Sequence, residues 1–257
     1  MNYRLLGRTG ISVSLLGLGA VKFGRTESLN YPVSAALPSL QSLRELCALA
    51  HDLGINLIDT APAYGVSEAR LGELLVGQRH HWLLCTKVGE SFDAPRSSYD
   101  FSPEHTRHSV MRSLQRLHTS YLDIVLVHSG GDDLDSITQQ GTLQMLADLK
   151  REGHIRAFGI SSKTGACGRL AVNHGDVVMV TLNLRNQDEL DVIALAEAEG
   201  CGVLIKKPLD SGHAAMDPDQ QRRSLEFVAG IAGVSCIVVG TTNPDHLRAN
   251  AATLTGH

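Results

Sequence analysis

The chain has 257 residues, 43% hydrophobic and 19% charged, enough apolar side chains for a large globular core and too many for disorder. Its 27 acidic and 23 basic residues leave a formal charge of -4 with no Lys/Arg block, which argues against a nucleic-acid or anionic-membrane partner.

The opening Met1-Asn2-Tyr3-Arg4 lacks the charged-then-apolar layout of a signal peptide, and no later stretch approaches the ~20 apolar residues of a membrane span. Tyr3–Leu6 and Ile11–Ser14 flank Gly7-Arg8-Thr9-Gly10 and predict a β-hairpin. Short apolar runs then alternate with amphipathic ones. Strand Leu15–Val21 precedes helix Leu40–Leu53, and strand Asn56–Asp59 precedes helix Ser67–Val76. Strands Trp82–Val88 and Asp123–His128 precede helices Pro103–Leu117 and Thr142–Glu152. Strands Ile155–Ser161 and Val177–Leu182 precede helices Thr164–Asn173 and Asp188–Glu199. Strands Gly202–Lys207 and Ser235–Gly240 precede helices Asp217–Ala232 and Pro244–Ala252.

Most of the strand runs are rich in Val, Ile and Leu without alternation, as for strands covered on both faces. Ser102-Pro103 marks a helix start, and Gly54, Gly77, Gly153 and Gly200 fall just past helix ends. Strand–helix alternation along the whole length predicts an α/β fold with a parallel sheet, and about eight strands is the size of a (β/α)8 TIM barrel. An open doubly wound sheet is the alternative. No linker or composition break divides the chain, so residues 1–257 read as one domain. The five cysteines are scattered without a Cys-x-x-Cys pair, and a cytoplasmic location is expected.

In such a barrel, reactive groups gather at the C-terminal ends of the strands. The second strand ends at Asp59, within Asp59-Thr60-Ala61-Pro62-Ala63-Tyr64-Gly65. The third ends Cys85-Thr86-Lys87-Val88-Gly89, and the fourth ends Val127-His128-Ser129. Each of these residues alone has a bland reading as a turn cap, a loop aromatic, a solvated charge or a structural imidazole. Together they suit acid–base work on a carbonyl. A free phenol titrates near ~10, and a neighbouring ammonium favours its ionised form. A carboxylate keeps that ammonium charged, and an imidazole can orient a carbonyl oxygen.

The Asp-Thr-Ala-x-x-Tyr-Gly stretch, the later Thr-Lys-Val and the Val-His resemble the catalytic tetrad of the aldo-keto reductases. The Gly17-Leu18-Gly19 strand and the preceding hairpin also resemble that family, and the hairpin is then expected to close the barrel floor. The resemblance runs from Tyr3 to about Asn250. It implies that Tyr64 is a general acid, that Lys87 and Asp59 tune it, and that His128 orients the carbonyl. It also implies a nicotinamide cofactor, NADP(H) with NAD(H) as the alternative. No metal is expected, since no His/Cys/carboxylate set at ligand spacing sits at the strand ends beyond these four residues.

At the cofactor the family pattern is altered. The resemblance places Gly19, Ala20 and Asp59 at the first two strand ends beside it. Ser161 and Ser162 stand where relatives carry a Ser-Asn pair, Met179 where they carry Gln, and Lys206 where they stack an aromatic ring. Lys207, Leu209 and Ser211 fall in or beside a loop that resembles the pyrophosphate strap. Gly240, Thr241 and Asn243 precede a helix that carries His246 and Asn250, and a helix start favours anions. Gly240 and His246 replace the Lys and Arg that often grip a 2′-phosphate.

The expected partner is a small carbonyl compound or alcohol, with the chain a monomer or weak oligomer. The loop Glu90–Phe101 is expected to form one wall of the pocket, and its Ser97-Ser98-Tyr99-Asp100-Phe101 resembles sugar-oxidising members. The end at His257 leaves little room for a long C-terminal substrate loop, so an open pocket is expected. A non-catalytic nicotinamide-binding sensor and a lyase using Lys87 as a Schiff-base amine are the rival readings.

Overall fold

A computed structural model of the protein describes residues 1–27, 36–214 and 217–255, and the chain end at His257 lies outside them. The strands are β1 (Tyr3–Leu5), β2 (Ser12–Ser14), β3 (Leu16–Gly19), β4 (Leu57–Asp59), β5 (Leu83–Val88) and β6 (Glu90–Asp93). There follow β7 (Arg96–Tyr99), β8 (Leu122–His128), β9 (Ile155–Ser161), β10 (Val177–Thr181), β11 (Gly202–Lys206) and β12 (Val234–Val239). The helices are α1 (Val21–Gly24), α2 (Leu40–Asp52), α3 (Ser67–Leu74), α4 (Pro103–Arg116) and α5 (Leu134–Gln139). They continue with α6 (Thr142–Arg151), α7 (Gly165–His174), α8 (Leu190–Glu199), α9 (Pro218–Ala229) and α10 (Pro244–Leu254).

Eight parallel strands close into a barrel in the order β3-β4-β5-β8-β9-β10-β11-β12 and back to β3. The sheet is therefore closed, and the open alternative falls. Helix starts are fixed locally. Ser102 Oγ accepts from His105 N at 3.3 Å with Pro103 in the first turn, and Ser39 Oγ accepts from Ser42 N at 3.0 Å. At the end of α8, Gly200 adopts φ 67°, a left-handed conformation that costs glycine little.

Alternate residues of the barrel strands enter two separate cores. Leu57, Cys85, Ile124, Leu126, Ala157, Val177, Met179, Leu204 and Cys236 fill the barrel interior. Their neighbours Ile58, Leu84, Val125, Val127, Ile160, Val178, Val203 and Ile237 pack outward against the helices. The hairpin of β1 and β2 adds Leu6, Ile11 and Val13 to the interior core. Leu6 is fully buried and lies against Gly202 at the start of β11, so the hairpin closes the barrel floor as expected. Burying one such side chain is worth roughly 1.5–3 kcal/mol.

Continuing the inward parity by one step reaches the mouth. Two residues beyond Leu57, Cys85, Leu126 and Leu204 stand Asp59, Lys87, His128 and Lys206. The apolar interior thus gives way to polar side chains at one end only.

Besides the four-residue α1, which begins at Val21 where the strand was expected to run on, two features have no counterpart in the expected elements. The segment after β5 is an antiparallel hairpin, β6–β7, and α5 precedes α6. Both are short and polar, with too few apolar residues to give a periodic signal.

Candidate active site

At the mouth, β4 and its loop present two functional side chains, Asp59 and Tyr64, within six residues. The Thr60 amide donates to the Cys85 carbonyl at 2.8 Å, tying the loop start to β5. Ser67 Oγ lies 2.9 Å from Thr60 Oγ1 and donates to the Ala20 carbonyl at 2.8 Å. Gly65 turns the chain at φ 62°, where a Cβ would come within 2.3 Å of the Gly24 carbonyl oxygen. These constraints hold the Tyr64 ring over Lys87, whose Nζ is 4.8 Å from the ring centroid.

Lys87 is buried, and its Nζ donates to Asp59 Oδ1 at 2.7 Å, Asp59 Oδ2 at 2.9 Å and the Thr60 carbonyl at 2.9 Å. Burial alone acts to lower the Lys87 pKa, yet Asp59, Tyr64 and Cys85 together outweigh it and leave the amine raised. An amine held so firmly as ammonium is a poor nucleophile, which weakens the Schiff-base reading.

The phenol differs from expectation. Burial pushes the Tyr64 pKa up to about 12, and the lowering by Lys87 offsets only part of that rise, with Asp59 and Glu90 adding to it. The reason is that Lys87 and Asp59 form a nearly neutral pair, so the field reaching the phenol is that of a dipole. Tyr64 is a protonated hydrogen-bond donor at neutral pH.

His128 ends β8 with its ring edge-on to Tyr64, centroids 6.1 Å apart. Its Nδ1 lies 2.6 Å from Glu90 Oε2, with the carboxylate off the line of the N–H. Burial lowers the His128 pKa and Glu90 opposes the shift. Glu90 is held down to about 2: burial would raise it, but His128, Ser97 and Arg25 together prevail. Ser97 Oγ donates to Glu90 Oε1 at 2.5 Å across the β6–β7 hairpin. The sequence reading placed Glu90 only in a pocket wall. Its position directly after Gly89 at a strand end was the available signal.

These groups line a cavity of about 470 Å³ that runs from the barrel mouth to the start of α10. Asp59, Tyr64, Lys87 and His128 are on it, as are Gly19, Ser161, Met179, Lys206, Lys207, Leu209, Ser211, Gly240, Thr241, His246 and Asn250. Arg25, Lys163 and Gln221 also line it, none of them picked out from the sequence.

Three expected cofactor residues do not line it. Ala20 is buried, its amide donating to the Asp59 carbonyl at 2.8 Å. Ser162 Oγ turns away to Glu189 and the Met179 carbonyl. The Asn243 side chain caps α10, accepting from the Asp245 amide at 2.8 Å.

The residues present fit an elongated dinucleotide. Asn250 is buried, and its Oδ1 is taken by Gln221 while Nδ2 has no protein partner, leaving a donor at the far end of the cavity. Gly19 lines the cavity where its strand end packs closely on the next, since a Cβ there would lie 3.3 Å from the Gly240 backbone. Lys207, Asp210 and Ser211 all adopt positive φ, at 53°, 48° and 55°. Backbone strain of this kind concentrates at ligand-holding and switch loops, and this loop borders the cavity. Lys207, Ser211 and the α10 N-terminus suit phosphate, and the tetrad end suits a reacting ring and carbonyl.

Fold and site together define a barrel oxidoreductase. The Aldo/keto reductase family model matches residues 15–224, and the chain belongs to that family, whose members use nicotinamide cofactors. A Pseudomonas aeruginosa protein assigned to the aldo-keto reductases superposes with a TM-score of 0.90 at 49% identity, covering 98% of this chain and 93% of that one. The L-galactose dehydrogenase of Arabidopsis thaliana is 34% identical over 81% of this chain and 66% of its own length. The NADH-specific methylglyoxal reductase of Escherichia coli is 29% identical over 80% of this chain and 67% of its own. Among the described residues, no helix is long and apolar enough to cross a membrane.

Proposed function

We propose that the protein reduces an aldehyde or ketone to an alcohol, or runs the reverse oxidation, by hydride transfer, with Tyr64 as general acid. The observation that carries this reading is the buried Lys87–Asp59 pair set under the Tyr64 ring in a cavity shared with His128. The bound dinucleotide supplies the hydride. Tyr64 donates its proton to the carbonyl oxygen, which becomes far more basic than a phenolate as the hydride arrives. Lys87 stabilises the phenolate left behind, and Asp59 keeps Lys87 charged and in place. A carboxylate 2.6 Å from His128 Nδ1 favours a proton on that nitrogen. The other ring nitrogen then donates to the substrate when the imidazole is charged, a state that Glu90 supports.

NADP(H) is the proposed cofactor, supported by Lys207 and the α10 start at one end of the cavity. NAD(H) is the alternative, and one relative is named as NADH-specific. The substrate is a small carbonyl compound or alcohol, and the plant relative's name adds sugars to the candidates. Five buried free cysteines support a reducing, cytoplasmic setting, and the proposed state is a monomer or weak oligomer. Oxidation of NADPH and NADH followed across a panel of aldehydes and ketones tests the reading. Aldehyde-dependent oxidation is expected. Tight dinucleotide binding without turnover on any carbonyl would favour the sensor reading instead.

A further inference from the structure

The cavity wall opposite the Lys87–Asp59 pair carries a second amine. Lys206 ends β11, four strands round the barrel from β5, so the two lysines face one another across the mouth. Lys206 Nζ donates to Ser161 Oγ at 3.0 Å and to the Ser162 carbonyl. Neither acceptor is charged. An ammonium has three N–H donors, so one remains for the cavity. The carboxylate acting on Lys206 from α8's N-cap is Glu189, already engaged with Ser162 Oγ and, at 2.9 Å, with the Thr181 amide. Lys207, Lys87 and Lys163 oppose a charge at Lys206, and His128 feels the same amine from β8.

A ring that gives hydride to a carbonyl held by Tyr64 and His128 has to lie inside the mouth, between them and the opposite wall. The residues that β9, β10 and β11 contribute to the cavity lining are Ser161, Met179 and Lys206. The nicotinamide ring is a cation when oxidised and neutral when reduced, while the phosphates and adenosine are the same in both states. A charge beside the ring therefore acts on the two forms unequally.

Building on the dinucleotide reading above, we propose that Lys206 makes the site prefer the reduced dinucleotide, its ammonium repelling the ring in the one state where the ring is itself a cation. Hydride transfer then converts a well-held cofactor into a poorly held one and favours its release. Burial, followed by the neighbouring lysines and opposed by Glu189, brings the Lys206 pKa down to about 7. The preference is therefore full below that pH and fades above it as the amine loses its proton.

The test is equilibrium binding of NADPH and NADP+, or of the NADH and NAD+ pair if that binds better, at about pH 6 and about pH 9. At the lower pH the wild type is expected to favour the reduced form about tenfold or more, ~1.4 kcal/mol, and to approach parity at the higher pH. Lys206→Gln should sit near parity at both. Lys206→Arg, charged throughout, should keep the preference at both. A Lys206→Gln chain that retains the wild-type preference at the lower pH overturns the proposal, as does a Lys206→Arg chain that loses it. Binding of an adenosine-diphosphate fragment, unchanged in both variants, shows that they are folded. A wild type that binds neither dinucleotide sinks the underlying cofactor reading, whereas equal affinity for the two forms at the lower pH sinks only the role of Lys206.

Discussion

Glu90 Oε2 lies 2.6 Å from His128 Nδ1, joining the first strand of a short hairpin to the end of the fourth barrel strand. Burial lowers the imidazole pKa and the carboxylate raises it, so the His128 charge state at the mouth depends on both.

Replacing Glu90 with Gln removes the raising contribution. If imidazolium is the donor to the carbonyl, reduction falls as pH rises through the His128 pKa. In Glu90→Gln that fall should move to lower pH, which a kcat/KM profile measures. An unmoved limb would mean that Glu90 does not act through His128. The same carboxylate has a stability signature. Its folded pKa of about 2 lies below the ordinary carboxyl value of 4.5, so its contribution is complete above about pH 4.5 and is lost as pH falls through 2. Urea midpoints of wild type and Glu90→Gln should therefore converge on acidification.

Tyr64→Phe should lower carbonyl reduction by ~10²–10⁴-fold with dinucleotide affinity nearly unchanged, since the phenol acts on the carbonyl. Single-turnover rates and fluorescence titration separate the two quantities. Near-normal turnover in the phenylalanine variant would remove Tyr64 from the mechanism.

Met179 lines the cavity, and Ser162 is turned away towards Glu189, so neither offers an amide to the carboxamide of the proposed dinucleotide. Met179→Gln offers an amide, and one added neutral hydrogen bond is worth about 1 kcal/mol, roughly a fivefold gain in affinity. The gain should appear for the whole dinucleotide and vanish for an adenosine-diphosphate fragment. Equal effects on both would show that the nicotinamide end is not loosely held.

Asp123 lies near the start of β8, at the barrel end away from the mouth. It is buried and pairs with Arg79 Nη2 and Arg156 Nη1, both at 2.7 Å, while Oδ2 also accepts from the Leu84 amide at 2.9 Å. Asp123→Ala leaves these donors without their acceptor. A loss of roughly 3 kcal/mol in urea unfolding is expected, with kcat at permissive temperature unchanged. A loss below about 1 kcal/mol would mean that water replaces the carboxylate without penalty.

The sequence by itself determined the alternation of strands and helices, the helix starts at Ser102-Pro103 and Asn243-Pro244, and the spacing from Asp59 to Tyr64. These are properties of neighbours along the chain. Capping groups reach two or three residues, and strand parity repeats every second residue, which sends Asp59, Lys87, His128 and Lys206 to the same inner surface. Only the tertiary structure decided which of those groups meet. It closed the sheet, paired Lys87 with Asp59, set Glu90 against His128 and turned Ser162 towards Glu189. It also left the Tyr64 phenol raised and Lys206 lowered, because burial and the distance to the next charge depend on how loops from different strands converge.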